Sequence, residues 1–369
     1  MYYKELDGLR GMAALNVMVA HFICAFLPSL MGYNYPGIFN VPDNPSTIFT
    51  IISSPLVTIL YNGHFAVLLF FVLSGFVLTS PYFNDNKLSL KKRVWSRYVR
   101  LGIPVAVSIA LGFLVVKLGF FYNKEAASLS GSTSWLINFY NDVTYEELFR
   151  NMFYKGLILG DGTLNPPLWT LKIEFLGSLL LLTFYIVKPN GYELIYVIII
   201  SFFLYLLLGS ESIYYMALFA GALINTIESL RFKWLVLLVG VYFSGYQYHS
   251  LFYSWLPTFS AVDDKTLYNA IAALFVVTSV KFGCFSCFFK SRFCQFLGKT
   301  SFSAYLLHMI VLCSLISYLY VNLVGSTLDL IVLFVGYIFL VYSSSLAYFY
   351  LVDKKSVKLS HVISKSIKN

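Results

Sequence analysis

Ten apolar runs constrain this sequence more than any other feature, because each is long enough to cross a bilayer. A helix needs about 20 predominantly apolar residues to span the hydrocarbon core. The chain of 369 residues is 59% hydrophobic and only 12% charged, as is typical of membrane proteins. The sequence predicts an all-α polytopic membrane protein with about ten transmembrane helices, near residues 9–30, 64–84, 101–122, 169–188, 192–209, 211–228, 232–249, 266–281, 302–322 and 329–351.

The distribution of basic residues predicts the orientation, because cytoplasmic loops carry an excess of Lys and Arg. With a cytoplasmic N-terminus, most of the 26 Lys and Arg residues fall on the inner side, and the outer side holds only Lys124, Arg150, Lys155 and Lys265. An even number of spans then places both termini in the cytoplasm. The net charge of +9 thus follows from topology and from contact with the lipid bilayer. No nucleic-acid partner is expected.

The spans form one predicted membrane domain, residues 1–352, followed by a short basic cytoplasmic tail at 353–369. The longest hydrophilic stretch is the outer loop 123–168, with a predicted short helix at 144–155. This loop either covers a glycan-sized site or merely connects two spans. Two acidic residues near the N-terminus and the lack of a small-residue cleavage site argue against a signal peptide. The expected location is the cell membrane, in multi-pass form, and the cytoplasmic or inner membrane in a bacterium.

Ionisable side chains inside spans are costly and form the shortlist of functional residues. Arg10 and His21 lie eleven residues apart in the first span. Eleven residues turn a helix about 20° past three full turns and rise about 16 Å, so the two side chains share one face at different depths. The alternatives are that Arg10 is an interfacial cation paired with Asp7, and that His21 only packs against a neighbouring helix.

A basic stretch leads into the third span. Arg97 and Arg100, helped by Arg93, are candidates to grip phosphate groups that arrive from the cytoplasm. This arrangement suits a nucleotide-like donor. The alternative is ordinary anchoring of a cytoplasmic loop.

A carboxylate lies inside the fourth span, where Glu174 follows Thr170 by one turn on the same face. A carboxylate at this depth needs a partner. Glu174 is a candidate to orient His21 or Arg10, and helical spacing alone does not decide between them. The alternative is a buried ion pair that only fixes helix packing.

In the ninth span, Ser301, Tyr305 and His308 fall at spacings of four and three and so share a helix face. They either line a channel or make a hydrogen-bonded helix contact. Metal chemistry is not expected. The nearest pattern is a CxxC at Cys284 and Cys287 followed by Cys294, which lacks a fourth ligand for zinc. The chain also has no Walker A loop, nucleophile elbow or dinucleotide fingerprint, so no bound cofactor is expected.

Taken together, these stretches resemble the acyltransferase-3 family of integral-membrane acyltransferases, which includes O-acetyltransferases of bacterial surface polysaccharides such as lipopolysaccharide. Two residues depart from the family's usual pattern: Leu68 stands in place of an aspartate and Phe302 in place of a tyrosine. The matching stretches, in order, are "LDGLRGMAALNVMVAH", "LLFFVLSGFVL", the arginines 97 and 100, "LWTLKIEF", "LGKTSFSAYLLH" and "LVDKKSVKL".

The resemblance implies an acyl-CoA-dependent O-acyltransferase. It would move an acyl group, expected to be acetyl, from cytoplasmic acyl-CoA to a hydroxyl of a cell-surface or lipid-linked glycan. His21 would act as general base or transient acyl carrier, supported by Glu174 and Arg10. The arginines 93, 97 and 100 would hold the phosphates of acyl-CoA. The residues expected to line the channel are Ser74, Trp169, Ser301, Tyr305 and His308.

Other functions remain open at this point. The main alternative is a secondary transporter or polysaccharide exporter whose intramembrane charges line its pathway. A further alternative is a scaffold whose charges only specify helix packing. If the acyltransferase needs an extracytoplasmic partner, that partner is expected to be a separate protein.

Overall fold

The computed structural model describes residues 3–83, 90–187 and 193–366, with side chains described outside 81–95, 187 and 365–366. Helices are the regular elements of these ranges, which confirms the all-α class. Their bounds are α1 Lys4–Phe26, α2 Thr47–Ile52, α3 Pro55–Thr58, α4 Gly63–Phe83, α5 Leu90–Lys117, α6 Asn123–Ser130, α7 Tyr145–Arg150, α8 Leu168–Val187, α9 Glu193–Leu208, α10 Ser212–Leu223, α11 Lys233–Ser244, α12 Asp264–Lys281, α13 Ser286–Phe289, α14 Arg292–Val311, α15 Ser317–Leu323, α16 Thr327–Tyr348 and α17 Lys354–Ser366.

Within the described ranges, seven helical segments are long and apolar enough to cross a membrane, as judged by length and composition. The chain is therefore a polytopic membrane protein, whereas the count of ten spans and the cytoplasmic position of both termini stay predictions. The seven segments are Lys4–Phe26, Gly63–Ser80, Ser96–Lys117, Leu168–Ile186, Glu193–Thr226, Arg292–Leu323 and Thr327–Ser364.

Several helices differ in length from the apolar runs. Helix α11 has only 12 residues, although the run at 232–249 predicts a longer one. Helices α5 and α14 begin about ten residues before their apolar runs, because Lys, Arg and Gln are good helix formers and extend a helix beyond its apolar part. The short helix predicted at 144–155 is present as α7, and a π-helical segment at Asn151–Leu159 follows it.

The chain divides into two compact units, each built from three stretches of sequence. The first unit contains residues 1–17, 50–90 and 176–299. Its helices α4 and α10 approach each other closely at two glycines. A Cβ atom on Gly75 would overlap the carbonyl group of Leu218, and one on Gly221 would overlap that of Val72. Small residues of this kind let membrane helices pack backbone to backbone.

The first unit also holds a polar cluster at the start of α12. The Asp263 side chain caps this helix by accepting a hydrogen bond from the Thr266 amide at 2.8 Å. The Thr266 hydroxyl donates to the same carboxylate and lies 3.0 Å from Nε2 of His64. Tyr248 donates its hydroxyl to Asp263 as well. His64 on α4 thus takes part in a hydrogen-bonded contact between α4 and α12.

The second unit contains residues 18–49, 91–175 and 300–369. Its helix α5 carries a proline in its interior, Pro104. Proline has no amide hydrogen, so the carbonyl of Arg100, four residues earlier, loses its helical partner. The Ser356 hydroxyl of α17 lies 3.1 Å from this carbonyl and 2.8 Å from that of Val99. Tyr348 of α16 donates its hydroxyl to the carbonyl of Pro104. The proline thus frees a carbonyl on α5 that α17 binds.

Candidate active site

Two histidines meet inside the second unit. The Nδ1 atom of His21 on α1 lies 2.8 Å from Nε2 of His308 on α14. Their rings are nearly parallel, at 6° between planes. His308 is fully buried and His21 is half-buried. The sequence analysis places both inside spans but does not predict that they pair, although the cost of an unpartnered polar group in a membrane points to a partner for each.

The surroundings of His308 determine which nitrogen atoms carry hydrogen. Nδ1 of His308 lies 2.7 Å from the carbonyl oxygen of Tyr305 and 3.2 Å from that of Ala304. A carbonyl only accepts hydrogen bonds, so this nitrogen carries the hydrogen and Nε2 of the neutral ring accepts. His21 must therefore donate from its own Nδ1. The remaining nitrogen of His21, Nε2, is left with a free lone pair.

The loop 123–168 contacts α1 around His21. The ring of Trp135 lies 5.5 Å from that of His21, measured between centroids. The Ser132 hydroxyl donates to the carbonyl of Cys24 at 2.7 Å, one turn further along α1. Whether the loop covers a glycan-sized site or only connects two spans stays a prediction. The sequence marks Trp135 only as an outer-loop aromatic that could stack on a sugar ring or anchor the interface, and it does not predict the contact with His21.

Glu174 forms an ion pair with Arg97. Its Oε1 atom lies 3.4 Å from Nη2 of Arg97, and both side chains are largely shielded from solvent. The sequence analysis considered His21 and Arg10 as partners for Glu174, and the structure identifies a third. Arg97 becomes buried because it faces inward from the first turns of α5, where a carboxylate offsets the cost of burying its charge.

The three arginines of the predicted phosphate grip do not share one environment. Arg97 is buried, with 8% of its surface exposed, whereas Arg100 one turn later is exposed. Arg93 lies in α5, but its side chain is outside the described residues. A joint grip by Arg97 and Arg100 therefore does not follow from their spacing of three residues.

Three of the residues expected to line a channel lie on one buried face of helix α14. Ser301 and Tyr305 are buried on it together with His308. The Tyr305 hydroxyl lies 2.8 Å from that of Thr170 on α8, and the Tyr305 ring packs against His308 at 5.6 Å. Trp169, next to Thr170, is 42% exposed. Roles for these residues in lining a channel stay predictions.

Two candidate residues belong to the first unit. Arg10 lies in α1 and pairs with Asp7 at 3.3 Å, the interaction that the sequence analysis gives as the alternative for this arginine. Ser74 lies half-buried in α4. His21 belongs to the second unit. Across the described part of the chain, no group of three or more His, Cys, Asp or Glu residues could hold a metal ion.

A half-buried imidazole and a largely shielded ion pair thus lie in the second unit of a chain with several helices apolar enough to span a membrane. Residues 3–350 match the family model described as an acyltransferase domain. The chain belongs to the acyltransferase-3 family, as its motifs indicate, and is a multi-pass membrane protein.

Two curated relatives support this assignment. The O-acetyltransferase PaAT-1 of Phomopsis amygdali is 26% identical over 204 residues, which cover 48% of this chain and 39% of the relative. The acyltransferase R4 of Phoma sp. (strain ATCC 20986 / MF5453) is 28% identical over 144 residues, which cover 31% of this chain and 30% of the relative. The matched part is therefore less than half of each relative. No solved structure matches the chain.

Proposed function

We propose that this protein is an O-acyltransferase that moves an acetyl group from cytoplasmic acetyl-CoA to a hydroxyl of a cell-surface or lipid-linked glycan. The observation that carries the proposal is the fixed orientation of His21, whose Nδ1 is engaged by His308 and whose Nε2 has a free lone pair. The family assignment and the O-acetyltransferase among the relatives support acyl transfer to oxygen.

In the proposed reaction, Nε2 of His21 removes the proton from the acceptor hydroxyl. The oxygen attacks the carbonyl carbon of the thioester, and the carbon–sulfur bond then breaks. The CoA sulfur leaves as a thiolate and takes up the proton held by His21, so the products are an ester and free CoA. The same lone pair also suits a two-step route, in which Nε2 first attacks the thioester and CoA leaves as a thiolate. The acceptor hydroxyl then takes the acetyl group from Nε2, its proton passes to the CoA thiolate, and the imidazole is regenerated.

His308 acts in this scheme as a positioning residue. When His21 gains a proton on Nε2, its Nδ1–H stays bound to Nε2 of His308 at 2.8 Å. The carbonyls of Tyr305 and Ala304 hold the His308 ring in turn. A hydrogen-bonded partner that fixes the tautomer and stabilises the imidazolium is the part that a carboxylate plays in a catalytic triad. Here a neutral imidazole takes that place.

The other polar groups have supporting parts in the proposal. The Arg97–Glu174 pair keeps two charges compensated in the second unit. Trp135 borders His21 from the loop 123–168, which the predicted topology places on the acceptor side. An aromatic ring beside the base suits a sugar acceptor, whose ring carbons pack on aromatic faces.

The test uses membranes that contain the full chain, acetyl-CoA labelled in the acetyl group, and glycan from the native envelope. We expect label in the glycan and one free CoA released per acetyl group. His21→Ala should lower transfer by about 10²- to 10⁴-fold, the usual contribution of a general base. Undiminished transfer by this variant would remove His21 from the mechanism. A transporter or exporter would release no CoA and would leave the mass of its substrate unchanged.

A further inference from the structure

Helix α11 stops short of α12, the helix against which it packs. Its first residue, Lys233, donates from Nζ to the carbonyl of Phe282 at 2.9 Å, and Phe282 is the C-cap residue of α12. Helix α11 therefore begins level with the end of α12. It has 12 residues where α12 has 18, so it rises about 18 Å beside a helix of about 27 Å. The first turns of α12, about 9 Å in length, extend beyond the end of α11.

The segment that follows α11 packs beside these first turns. We call residues 245–259 the cap segment. The ring of Tyr246 in the cap segment lies 4.8 Å from that of Tyr268 on α12. The start of α12 is level with the start of the spanning segment of α4, because the Thr266 hydroxyl lies 3.0 Å from Nε2 of His64. The cap segment therefore lies at the ends of these helices, where hydrocarbon gives way to headgroups, on the side that the predicted topology places outside.

The backbone of the cap segment receives hydrogen bonds from tyrosine side chains. Tyr242 donates its hydroxyl to the carbonyl of Phe252, and Tyr268 donates to that of Pro257 at 2.5 Å. Tyr253 donates at 2.8 Å to the carbonyl of Tyr242, in the last turn of α11. Irregular backbone at a membrane needs such partners from the protein, because little water is present to supply them. These carbonyls are therefore suited to a position against lipid.

An exposed apolar face of α11 continues onto the cap segment. Leu235, Leu238 and Tyr242 follow one another at spacings of three and four residues and so share a helix face. Both leucines are exposed. The Tyr242 hydroxyl accepts a hydrogen bond from Nε1 of Trp255 at 3.0 Å, and it donates to the carbonyl of Phe252. Trp255 and Phe252 thus extend this face beyond the end of the helix.

The cap segment exposes large apolar side chains. Trp255 is 67% exposed, and the indole N–H, its one polar group, is bonded to Tyr242 within the protein. The surface that Trp255 presents is therefore apolar. Single exposed apolar residues are common, but a group of them beside the exposed face of an apolar helix marks an interaction surface. Its members are Leu251, Phe252, Trp255 and Phe259.

We propose that the cap segment is a membrane anchor, whose exposed side chains contact lipid of the outer leaflet where the acyl chains meet the headgroups. Lipid is the partner because the surface continues an apolar helix face and lies level with the end of a spanning segment, the level at which tryptophan is enriched in membrane proteins. Asp263 and Asp264, which follow the cap segment closely, are acidic, so the anchor does not depend on anionic headgroups. The cap segment completes the crossing that α11 leaves unfinished. This inference is independent of the proposed function.

The experiment measures tryptophan fluorescence of the full chain in phosphatidylcholine vesicles. The unaltered protein is compared with Trp255→Phe and with the matched control Trp234→Phe, which removes an exposed indole at the other end of α11. Subtracting the emission of each variant from that of the unaltered protein isolates one indole. Two quenchers are used: phosphatidylcholine brominated on its acyl chains, which reports contact with lipid, and iodide on both sides of the membrane, which reports contact with water.

We expect brominated lipid to remove most of the Trp255 emission and iodide to remove little of it. Trp234 provides the scale for an exposed indole on an apolar helix, and the loss for Trp255 should be comparable. Addition of anionic phosphatidylglycerol should leave the result for Trp255 unchanged, because the contact is apolar.

Strong quenching of Trp255 by iodide with little effect of brominated lipid would overturn the inference, since the indole would then face water. Protection from iodide that requires added envelope glycan would assign the surface to glycan instead. Protection that is lost on dilution with excess lipid would assign it to a second copy of the chain. Protection from both quenchers at every ratio of protein to lipid would place the indole against protein. Each of these three results also overturns the inference, and none of them affects the proposed acetyl transfer.

Discussion

His21 and His308 are joined by a hydrogen bond of 2.8 Å between Nδ1 of the first and Nε2 of the second. Because two backbone carbonyls hold the hydrogen on Nδ1 of His308, the bond has only one direction when both rings are neutral. The pair therefore gives His21 a defined tautomer, with Nε2 available as a base.

The direction of this bond can be tested by replacing His308 in turn with each of two residues that carry a side-chain amide. The amide end of glutamine lies near the position of a histidine Nε2, whereas that of asparagine lies near Nδ1. His308→Gln offers an oxygen that accepts from His21, and we expect it to keep most of kcat. His308→Asn leaves the His21 donor unpaired, and we expect kcat to fall by about 10²-fold with KM for acetyl-CoA unchanged. Steady-state kinetics on both variants checks this, and equal losses would contradict a positioning role.

Removing one charge of the Arg97–Glu174 pair should cost more stability than removing both. Glu174→Ala leaves a largely buried guanidinium without its carboxylate, and we expect about 2–4 kcal/mol of lost stability. The double variant Arg97→Met/Glu174→Leu removes both charges and should recover most of that loss. Thermal unfolding in detergent measures both. A double variant as unstable as the single one would show that the pair stabilises the fold by more than charge compensation.

The crossing of α4 and α10 predicts that Gly75 tolerates no larger side chain. Gly75→Ala would drive a methyl group into the Leu218 carbonyl, and we expect a loss of about 1–3 kcal/mol. Gly336→Ala is the matched control, since Gly336 lies within α16 and a Cβ there has no neighbour within 4 Å. Alanine is the better helix former, so this control should be neutral or stabilising. Unfolding temperatures of the two variants should move in different directions or by clearly different amounts.

The Asp263 carboxylate that caps α12 should make the stability of the fold decrease at low pH. Burial raises the pKa of Asp263, but hydrogen bonds from Thr266 and Tyr248 outweigh it and hold the pKa below its usual value. A carboxyl group with a lowered pKa in the folded state stabilises the fold above its unfolded pKa, about 3.9, and loses this contribution as pH falls through the lower value. Unfolding measured from about pH 5 down to about pH 2 should show this loss, and Asp263→Asn should show less of it. Identical acid profiles would contradict the assignment.

The helices could be predicted from sequence because the signal for a spanning helix is local. The run of apolar residues at 64–84 and the helix α4 at Gly63–Phe83 agree within one residue at each end. Helix α5 is less well predicted, since its charged first turns continue the helix beyond the apolar run. Length and hydropathy predict which residues cross a bilayer, and they do not predict where a helix with good helix formers ends.

The contacts of the candidate site could be predicted only in part. Sequence identifies His21, Glu174 and His308 as polar groups that need partners inside a membrane. It does not identify the partners, because the bonds from His21 to His308 and from Glu174 to Arg97 join residues far apart in the chain. Helical periodicity relates side chains of one helix, and these bonds depend on how separate helices pack.

A single imino acid on α5 has a consequence for how this chain can diverge. Pro104 leaves the Arg100 carbonyl bare, and the Ser356 hydroxyl covers it. A related chain that loses Ser356 but keeps Pro104 would have a carbonyl oxygen without a hydrogen-bond donor. A chain in which Pro104 is replaced first could lose Ser356 without that cost. Substitutions at positions 104 and 356 are therefore expected to occur in a preferred order during evolution, rather than independently.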